Sequence, residues 1–217
     1  MLELFAHPLS SYCWKVLIAL YENGTAFRYR LLGPEHPENG AELARLTPTG
    51  KFPVLLDDGK PVLETSIIIE HLDLHHPGHR RLVPEDRTAA LEVRMLDRIF
   101  DNHVMNQMQR VVNDALRPPG RRDPVEPVEA KAMLERGYGW LERWMEAREW
   151  ACGDFSLADC AAAPSLFYAD WVHPIGDAYP ALRAYRARLL AHPSVARTVE
   201  EARPYRSLFP LGAPARD

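Results

Sequence analysis

The side chains best able to do chemistry lie in three short segments in the first third of the chain. These segments are residues 7–16, 49–55 and 63–68. Each segment places polar side chains or an unusual backbone at the end of a predicted helix or strand. Backbone groups are left unpaired at the ends of helices, so a small polar ligand can be held there. These segments therefore contain the candidate binding residues.

Ser10 and Ser11 stand at the predicted start of the first helix, directly after a short strand. The first N–H groups of a helix have no partner within it, and the helix dipole is positive there, so an anion such as a phosphate or a thiolate is favoured. A hydroxyl that donates a hydrogen bond to a thiolate lowers the pKa of that thiol below its ordinary value of about 8.5. The alternative interpretation is that Ser10 or Ser11 only caps the helix.

Cys13 lies in the frame of a Cys-x-x-Cys motif whose first cysteine is replaced by Ser10. Because Cys13 then has no resolving partner, the pattern argues against dithiol redox chemistry. A cysteine inside a predicted helix is more simply explained as a small buried residue of the core. A thiol reductase that uses Cys13 as its nucleophile remains an alternative.

Pro53 and the pair Glu64-Thr65 are the notable residues of the other two segments. A proline that opens a strand marks a sheet edge or a special turn, because it cannot donate to the ladder. Glu64 can hold an ammonium group, while the hydroxyl and backbone N–H of Thr65 can hold a carboxylate at a helix start. Plain capping by Thr65 is the alternative, and a frame shifted by one residue would make Ser66 the ligand.

The predicted elements that position these residues change in kind along the chain. The first part has the order β-α-β-α-β-β-α, which is that of a thioredoxin-like domain, with elements at 2–5, 10–22, 27–31, 41–46, 53–56, 61–63 and 65–74. After a Pro- and Gly-containing linker, long helical patterns cover 88–116 and 128–147, and two or three shorter helices follow. The sequence therefore predicts an α+β fold: an N-terminal thioredoxin-like domain at 1–77, a linker at 78–86 and an all-helical domain at 87–217.

The net charge and the cysteine content exclude several classes of function. A net charge of −4 offers no bulk attraction to nucleic acid or to an anionic membrane. Three scattered cysteines do not make a disulfide framework and fit a reduced, cytoplasmic protein. No signal peptide is recognisable, and no apolar run approaches the ~18 residues of a membrane helix. We therefore expect a cytoplasmic protein with neither nucleic acid nor membrane as a partner.

His71 and His75 are four residues apart on one predicted helix face, which is the spacing of a zinc-binding pair. Neither a nearby cysteine nor a well-placed third carboxylate completes a ligand set in the local sequence. Solvated histidines that favour a helix C-terminus explain the cluster as well. The sequence therefore predicts no metal site.

Together, in this order and spacing, the three segments resemble the N-terminal domain of cytosolic glutathione S-transferases of the bacterial type, in the serine or cysteine class. The resemblance extends over nearly the whole chain. It includes the run from Ser156 to Asp159, which is similar to a capping box of that family and serves folding rather than catalysis.

The resemblance implies glutathione as co-substrate and a role for each candidate residue. Ser10, five residues before the basic Lys15, would contact the glutathione sulfur, with the adjacent Ser11 as the second candidate. Four further contacts are implied: Lys51 to a glutathione carboxylate, the Phe52 backbone to the cysteinyl part through a cis bond to Pro53, Glu64 to the γ-glutamyl ammonium, and Thr65 to the γ-glutamyl carboxylate.

The function implied by the resemblance is a glutathione transferase whose thiolate attacks an apolar small-molecule electrophile, in a homodimer. His103, Asn106, Met108 and Arg110 on the long helical pattern are polar or flexible groups that could face this electrophile. Two alternatives remain: a non-catalytic binding or assembly module of the same shape, and a glutathione-dependent thiol reductase that uses Cys13.

Overall fold

The computed structural model describes all 217 residues and opens with four strands and three helices. They are β1 (Leu2–Ala6), α1 (Ser11–Glu22), β2 (Arg28–Leu31), α2 (Pro37–Leu46), β3 (Val54–Asp57), β4 (Lys60–Val62) and α3 (Thr65–His75). The sheet order is β2-β1-β3-β4, in which β1 is parallel to β2 and antiparallel to β3. This half has the predicted order of elements, although α2 begins at Pro37 rather than at residue 41.

Helix α1 lies between two cores, which explains why it is apolar on two faces. Cys13, Val16 and Leu17 pack in the small core beneath the sheet, whereas Trp14 and Ile18 belong to the large core of the helical half. One helix therefore joins both halves of the molecule, and its first turn carries the candidate serines.

The second half is helical throughout. It contains α4 (Arg87–Ile99), α5 (Asn106–Leu116), α6 (Glu126–Met145), α7 (Leu157–Val172), α8 (Pro180–Ala191) and α9 (Pro193–Ala202). The predicted α+β class, with a helical half after the sheet, is confirmed. The domain boundaries given above stay a prediction, and residues 76–86 hold no helix or strand.

The helical pattern at 88–116 contains a π-helical segment, Phe100–Met105, between α4 and α5. Its hydrogen bonds span five residues instead of four, and such segments occur often at functional sites. The apolar positions continue through the segment, so the sequence pattern predicts an unbroken helix here.

Helix α7 forms the centre of the helical half, with 15 of its 16 residues buried. Its predicted capping box is present: the Ser156 hydroxyl accepts a hydrogen bond from Ala158 N–H, and the Asp159 carboxylate accepts from Ser156 N–H at 2.9 Å. Asp159 also accepts from the Tyr185 hydroxyl at 2.6 Å, so the cap is tied to α8. None of the helices has the length and apolar character that crossing a membrane requires.

Candidate functional site

The three polar segments meet at one end of the sheet. Phe5 of β1 pairs with Val54 of β3, so the loop that leaves β1 lies beside the start of β3. Leu55 pairs with Val62 of β4, so the chain that enters α3 reaches the same end of the sheet. Strand pairing alone therefore brings residues 7–10, 51–53 and 63–65 into one neighbourhood.

Ser10 is the N-cap of α1, with an extended backbone at φ −77° and ψ 121°. Its Oγ accepts a hydrogen bond from Cys13 N–H at 3.4 Å. Because Oγ accepts in this contact, its own proton stays free to be donated to an anion beside the helix start. Capping and contact with a sulfur are therefore compatible roles for Ser10.

Ser11 is buried, and its hydroxyl accepts a hydrogen bond from Gln109 Nε2 of α5 at 3.1 Å. That contact directs the Ser11 hydroxyl towards the helical half, and Ser10 is the more exposed of the two residues. Gln109 is absent from the set proposed on the long helical pattern. Within that set, Met108 is buried in the core and Arg110 is paired with Glu126.

Side chains from two sides fix the loop that carries Ser10. Trp14 Nε1 donates to the Pro8 carbonyl, and the Tyr168 hydroxyl of α7 donates to the Leu9 carbonyl at 2.7 Å. Ser10 N–H donates to the His7 carbonyl at 3.0 Å. The helical half therefore takes part in positioning the first turn of α1.

Cys13 is fully buried, and its Sγ accepts a hydrogen bond from His7 N–H at 3.5 Å. Burial raises the pKa of the thiol to about 12, although the Ser10 and His7 contacts oppose the shift. Because the thiolate is the reactive form, this cysteine is a weak nucleophile at neutral pH.

The second segment offers a peptide backbone and a free cation. The Phe52–Pro53 bond is cis, as the resemblance implies, and Pro53 is buried. Phe52 is 39% exposed, and neither its N–H nor its C=O makes a hydrogen bond within the chain. Lys51 is exposed and forms no ion pair with another residue. Both residues are therefore open to a ligand.

The third segment has an unusual backbone at the start of α3. Glu64 has φ +68°, a conformation that costs energy in a non-glycine residue, and strained residues of this kind cluster at active sites and ligand-binding segments. No side chain caps α3, so the N–H groups of its first residues are open to an anion. Thr65 is buried at this start, while Glu64 is exposed and forms no ion pair.

The Ser66 hydroxyl is already engaged. It donates to Asp97 Oδ2 at 2.8 Å and accepts from Lys15 Nζ at 2.9 Å. This geometry favours Thr65 over Ser66 as the residue that faces a ligand.

A buried ionic network lies directly behind the start of α3. Lys15 of α1 is fully buried and contacts Asp97 of α4 and, at 2.8 Å, Asp101 of the π-helical segment. Arg98 contacts the same two carboxylates from the surface. Burial raises the pKa of Asp101 even though Lys15 opposes the shift. No local sequence pattern indicates this cluster, because its members come from distant parts of the chain.

Comparison with known proteins agrees with the fold described above. The family model of the glutathione S-transferase N-terminal domain matches residues 4–80, and that of the C-terminal domain matches residues 107–188. A glutathione S-transferase from Methylobacterium radiotolerans, solved in complex with glutathione sulfonate, is 30% identical with a TM-score of 0.78, over 91% of this chain and 94% of that one.

Two curated relatives match over nearly full length. A probable maleylacetoacetate isomerase of Vibrio cholerae is 29% identical over 94% of this chain and 97% of its own. A stringent starvation protein A homolog of Pasteurella multocida is 26% identical over 94% and 92%.

Proposed function

Because the chain belongs to the glutathione S-transferase family, we propose that it is a glutathione transferase that holds glutathione at Ser10 and stabilises its thiolate. The observation that carries the proposal is the geometry of Ser10, which caps α1 through Oγ and keeps a proton to donate. Bound glutathione supplies the nucleophilic sulfur. The N-terminus of α1 and the Ser10 hydroxyl favour its ionised form, and binding beside an apolar electrophile supplies proximity.

The remaining polar groups at this end of the sheet can bind the two ends of the tripeptide. Lys51 offers an unpaired ammonium to a carboxylate, and the Phe52 backbone can pair with the cysteinyl part. Glu64 offers a free carboxylate to the γ-glutamyl ammonium, while Thr65 and the open start of α3 suit the γ-glutamyl carboxylate. These contacts fix the orientation that brings the sulfur to Ser10.

The alternatives fit the structure less well. A reductase that uses Cys13 conflicts with the complete burial of that residue and with its raised pKa. A non-catalytic module, for which the stringent starvation protein relative is the precedent, does not need an available hydroxyl, cation and carboxylate at three sheet-end positions. The isomerase relative makes glutathione-dependent isomerisation the first reaction to screen, followed by conjugation and dehalogenation.

We also propose a homodimer in the cytoplasm. Helices α3 and α4 are joined by a bidentate contact between Arg94 and Glu70, at 2.8 and 2.7 Å. These two helices also carry exposed large apolar side chains, namely Ile67, Leu74, Leu91 and Met95. A second copy of the chain would cover this surface. Ile67→Glu should shift the sedimentation coefficient towards that of a monomer, while the exposed Val128→Glu on α6 should not.

The test of the proposed function compares wild type with Ser10→Ala and Ser11→Ala. We expect Ser10→Ala to lower turnover at least about tenfold, which corresponds to about one pKa unit of lost thiolate stabilisation, and to change glutathione affinity much less. Ser11→Ala serves as the matched control, because its hydroxyl is held by Gln109. If Ser10→Ala keeps full turnover and Ser11→Ala loses it, Ser11 is the residue that contacts the sulfur. If wild type does not bind glutathione, the non-catalytic module is the interpretation that remains.

A further inference from the structure

Asp57, His71 and His76 bring three metal-binding atoms together at the end of the sheet opposite Ser10. The Nε2 atoms of His71 and His76 lie 2.9 and 2.7 Å from the same Asp57 oxygen. One ligand atom from each residue lies within 4.8 Å of the others. The three residues come from two elements and a helix cap, and the proposed function uses none of them.

The backbone, rather than the spacing of residues in a helix, creates this convergence. Residues five apart in an α-helix point about 140° away from each other, so His71 and His76 would diverge if α3 continued. His76 is instead the C-cap, at φ −133° and ψ 53°, where the chain leaves the helix. Its N–H donates to the Leu72 carbonyl at 2.8 Å, which fixes the turn that brings its ring back towards Asp57.

The local sequence pattern pointed to a different pair. His75, four residues from His71, is exposed and supplies no atom to the cluster. Asp57 ends β3, is paired there with Lys60 across the hairpin, and lies 14 residues before His71. The fold therefore supplies a well-placed carboxylate as the third ligand, which the local sequence around His71 does not provide.

We propose that Asp57, His71 and His76 bind one divalent transition-metal ion, with zinc as the test ion. Two imidazole nitrogens, one carboxylate oxygen and an open position for water form a ligand set that zinc accepts. In a tetrahedral site with bonds of about 2.0 Å, neighbouring ligand atoms lie about 3.3 Å apart. The two contacts to Asp57 therefore need to open by about half an ångström to admit the ion. The side chains are 17–34% exposed, so an ion and its water have access.

The bound ion would join the end of β3 to the last turn of α3 and stabilise the sheet half of the molecule. This inference is independent of the proposed function, because the cluster lies at the ends of β3 and α3 that are far from Ser10. Glutathione binding and turnover should therefore change little when zinc is added or removed, and both can be measured beside it.

The experiment is calorimetric titration of tag-free, chelator-treated protein with zinc chloride. We expect one zinc ion per chain, and an affinity at least about tenfold weaker in His71→Gln and in His76→Gln. Glutamine keeps a hydrogen-bond donor for Asp57, so these variants retain a structural contact but lose the imidazole ligand. His36→Gln is the matched control, since His36 lies 3.4 Å from the Glu38 carboxylate without a third ligand.

Thermal unfolding with and without zinc gives a second readout that does not depend on activity. Zinc should raise Tm of wild type and of His36→Gln by the same amount, and should raise Tm of His71→Gln and His76→Gln clearly less at the same zinc concentration. The proposal is overturned if wild type binds no zinc, or if both variants bind zinc as tightly as wild type. In either case the cluster is an aspartate with two hydrogen-bonded histidines and nothing more.

Discussion

Lys15→Met removes the ammonium at the centre of the buried ionic network and tests how the two halves of the molecule are joined. The Lys15 side chain is 0% exposed, and its partners Asp97 and Asp101 are 2% and 6% exposed. Arg98 stays as a counter-charge, but 51% of its side chain is exposed to solvent. The variant therefore encloses two carboxylates beside one partly solvated guanidinium, and one negative charge loses its buried partner.

The size of the effect follows from two independent estimates. Removing one partner of a buried ion pair costs about 3–5 kcal/mol of unfolding free energy. If one carboxyl takes up a proton instead, it does so at pH 7 against an ordinary pKa of about 3.9, a difference of about three pKa units worth about 4 kcal/mol. Asp101 is the expected proton acceptor, because burial already raises its pKa. We expect a loss of about 4 kcal/mol at pH 7.

The pH dependence gives this prediction a sign. In the variant, the folded state binds a proton that the unfolded chain has released, so the stability of the variant falls as pH rises above the unfolded pKa. By the same reasoning the loss relative to wild type shrinks to about 1.5 kcal/mol at pH 5.

Urea unfolding at pH 5 and pH 7 measures these losses, for wild type, Lys15→Met and the double variant Lys15→Met/Asp101→Asn. The double variant should recover part of the stability lost at pH 7, because Asp97 is then balanced by Arg98. A loss at pH 7 below about 1 kcal/mol, which is the range of an exposed ion pair, would refute the reasoning. A loss that does not shrink at pH 5 would refute it as well.

Further predictions concern Cys13, the interface of α1 with α9, the cap of α7 and the loop before Ser10. Oxidised glutathione should leave Cys13 of the native protein unmodified, because the buried thiol has a pKa of about 12; a mixed disulfide found by mass spectrometry would contradict this. Burial opposes ionisation of Glu22, yet hydrogen bonds from His192 and a neighbouring serine hold its pKa at about 2. This folded pKa is below the unfolded value of 4.5, so Glu22 contributes stability above about pH 4.5 that is lost as pH falls towards about 2; acid unfolding of Glu22→Gln should lack this loss. Asp159→Ala leaves four buried donors without their acceptor and should lower the unfolding free energy by at least about 3 kcal/mol, measured by urea unfolding. A loss under about 1 kcal/mol, which is the contribution of one net hydrogen bond, would mean that the capping box of α7 is dispensable. Tyr168→Phe should lower the unfolding free energy by about 1 kcal/mol and weaken glutathione binding. If the stability and the affinity both stay at wild-type values, the loop before Ser10 is held in place without the Tyr168 hydroxyl.

Much of the fold could be predicted from local patterns in the sequence. The apolar spacing of Trp14, Leu17 and Ile18 indicates α1, and Asn23-Gly24 marks its end, because these signals act within three or four residues. The same holds for the strand alternation around Tyr29 and for the capping box of α7. The π-helical segment at 100–105 could not be predicted in this way, because it keeps the apolar positions of an ordinary helix.

The residues of the candidate site also differ in whether local sequence could predict them. Ser10, Phe52 and Thr65 stand at ends of elements, where local sequence indicates unpaired backbone groups. The contact of Gln109 with Ser11 joins residues 98 apart, and that of Lys15 with Asp101 joins residues 86 apart. Such contacts depend on how the two halves pack, which leaves no periodic signal in a single sequence.

The pKa of the thiol of bound glutathione shows directly whether Ser10 stabilises the thiolate. It is measured by the ultraviolet absorbance of the thiolate across a pH titration of the complex, in wild type, Ser10→Ala and Ser11→Ala. We expect a pKa in wild type at least about one unit below that of the free thiol, a return towards the free value in Ser10→Ala, and little change in Ser11→Ala. If the bound thiol titrates like the free thiol in wild type, or if its titration is unchanged in Ser10→Ala, then Ser10 does not stabilise the thiolate.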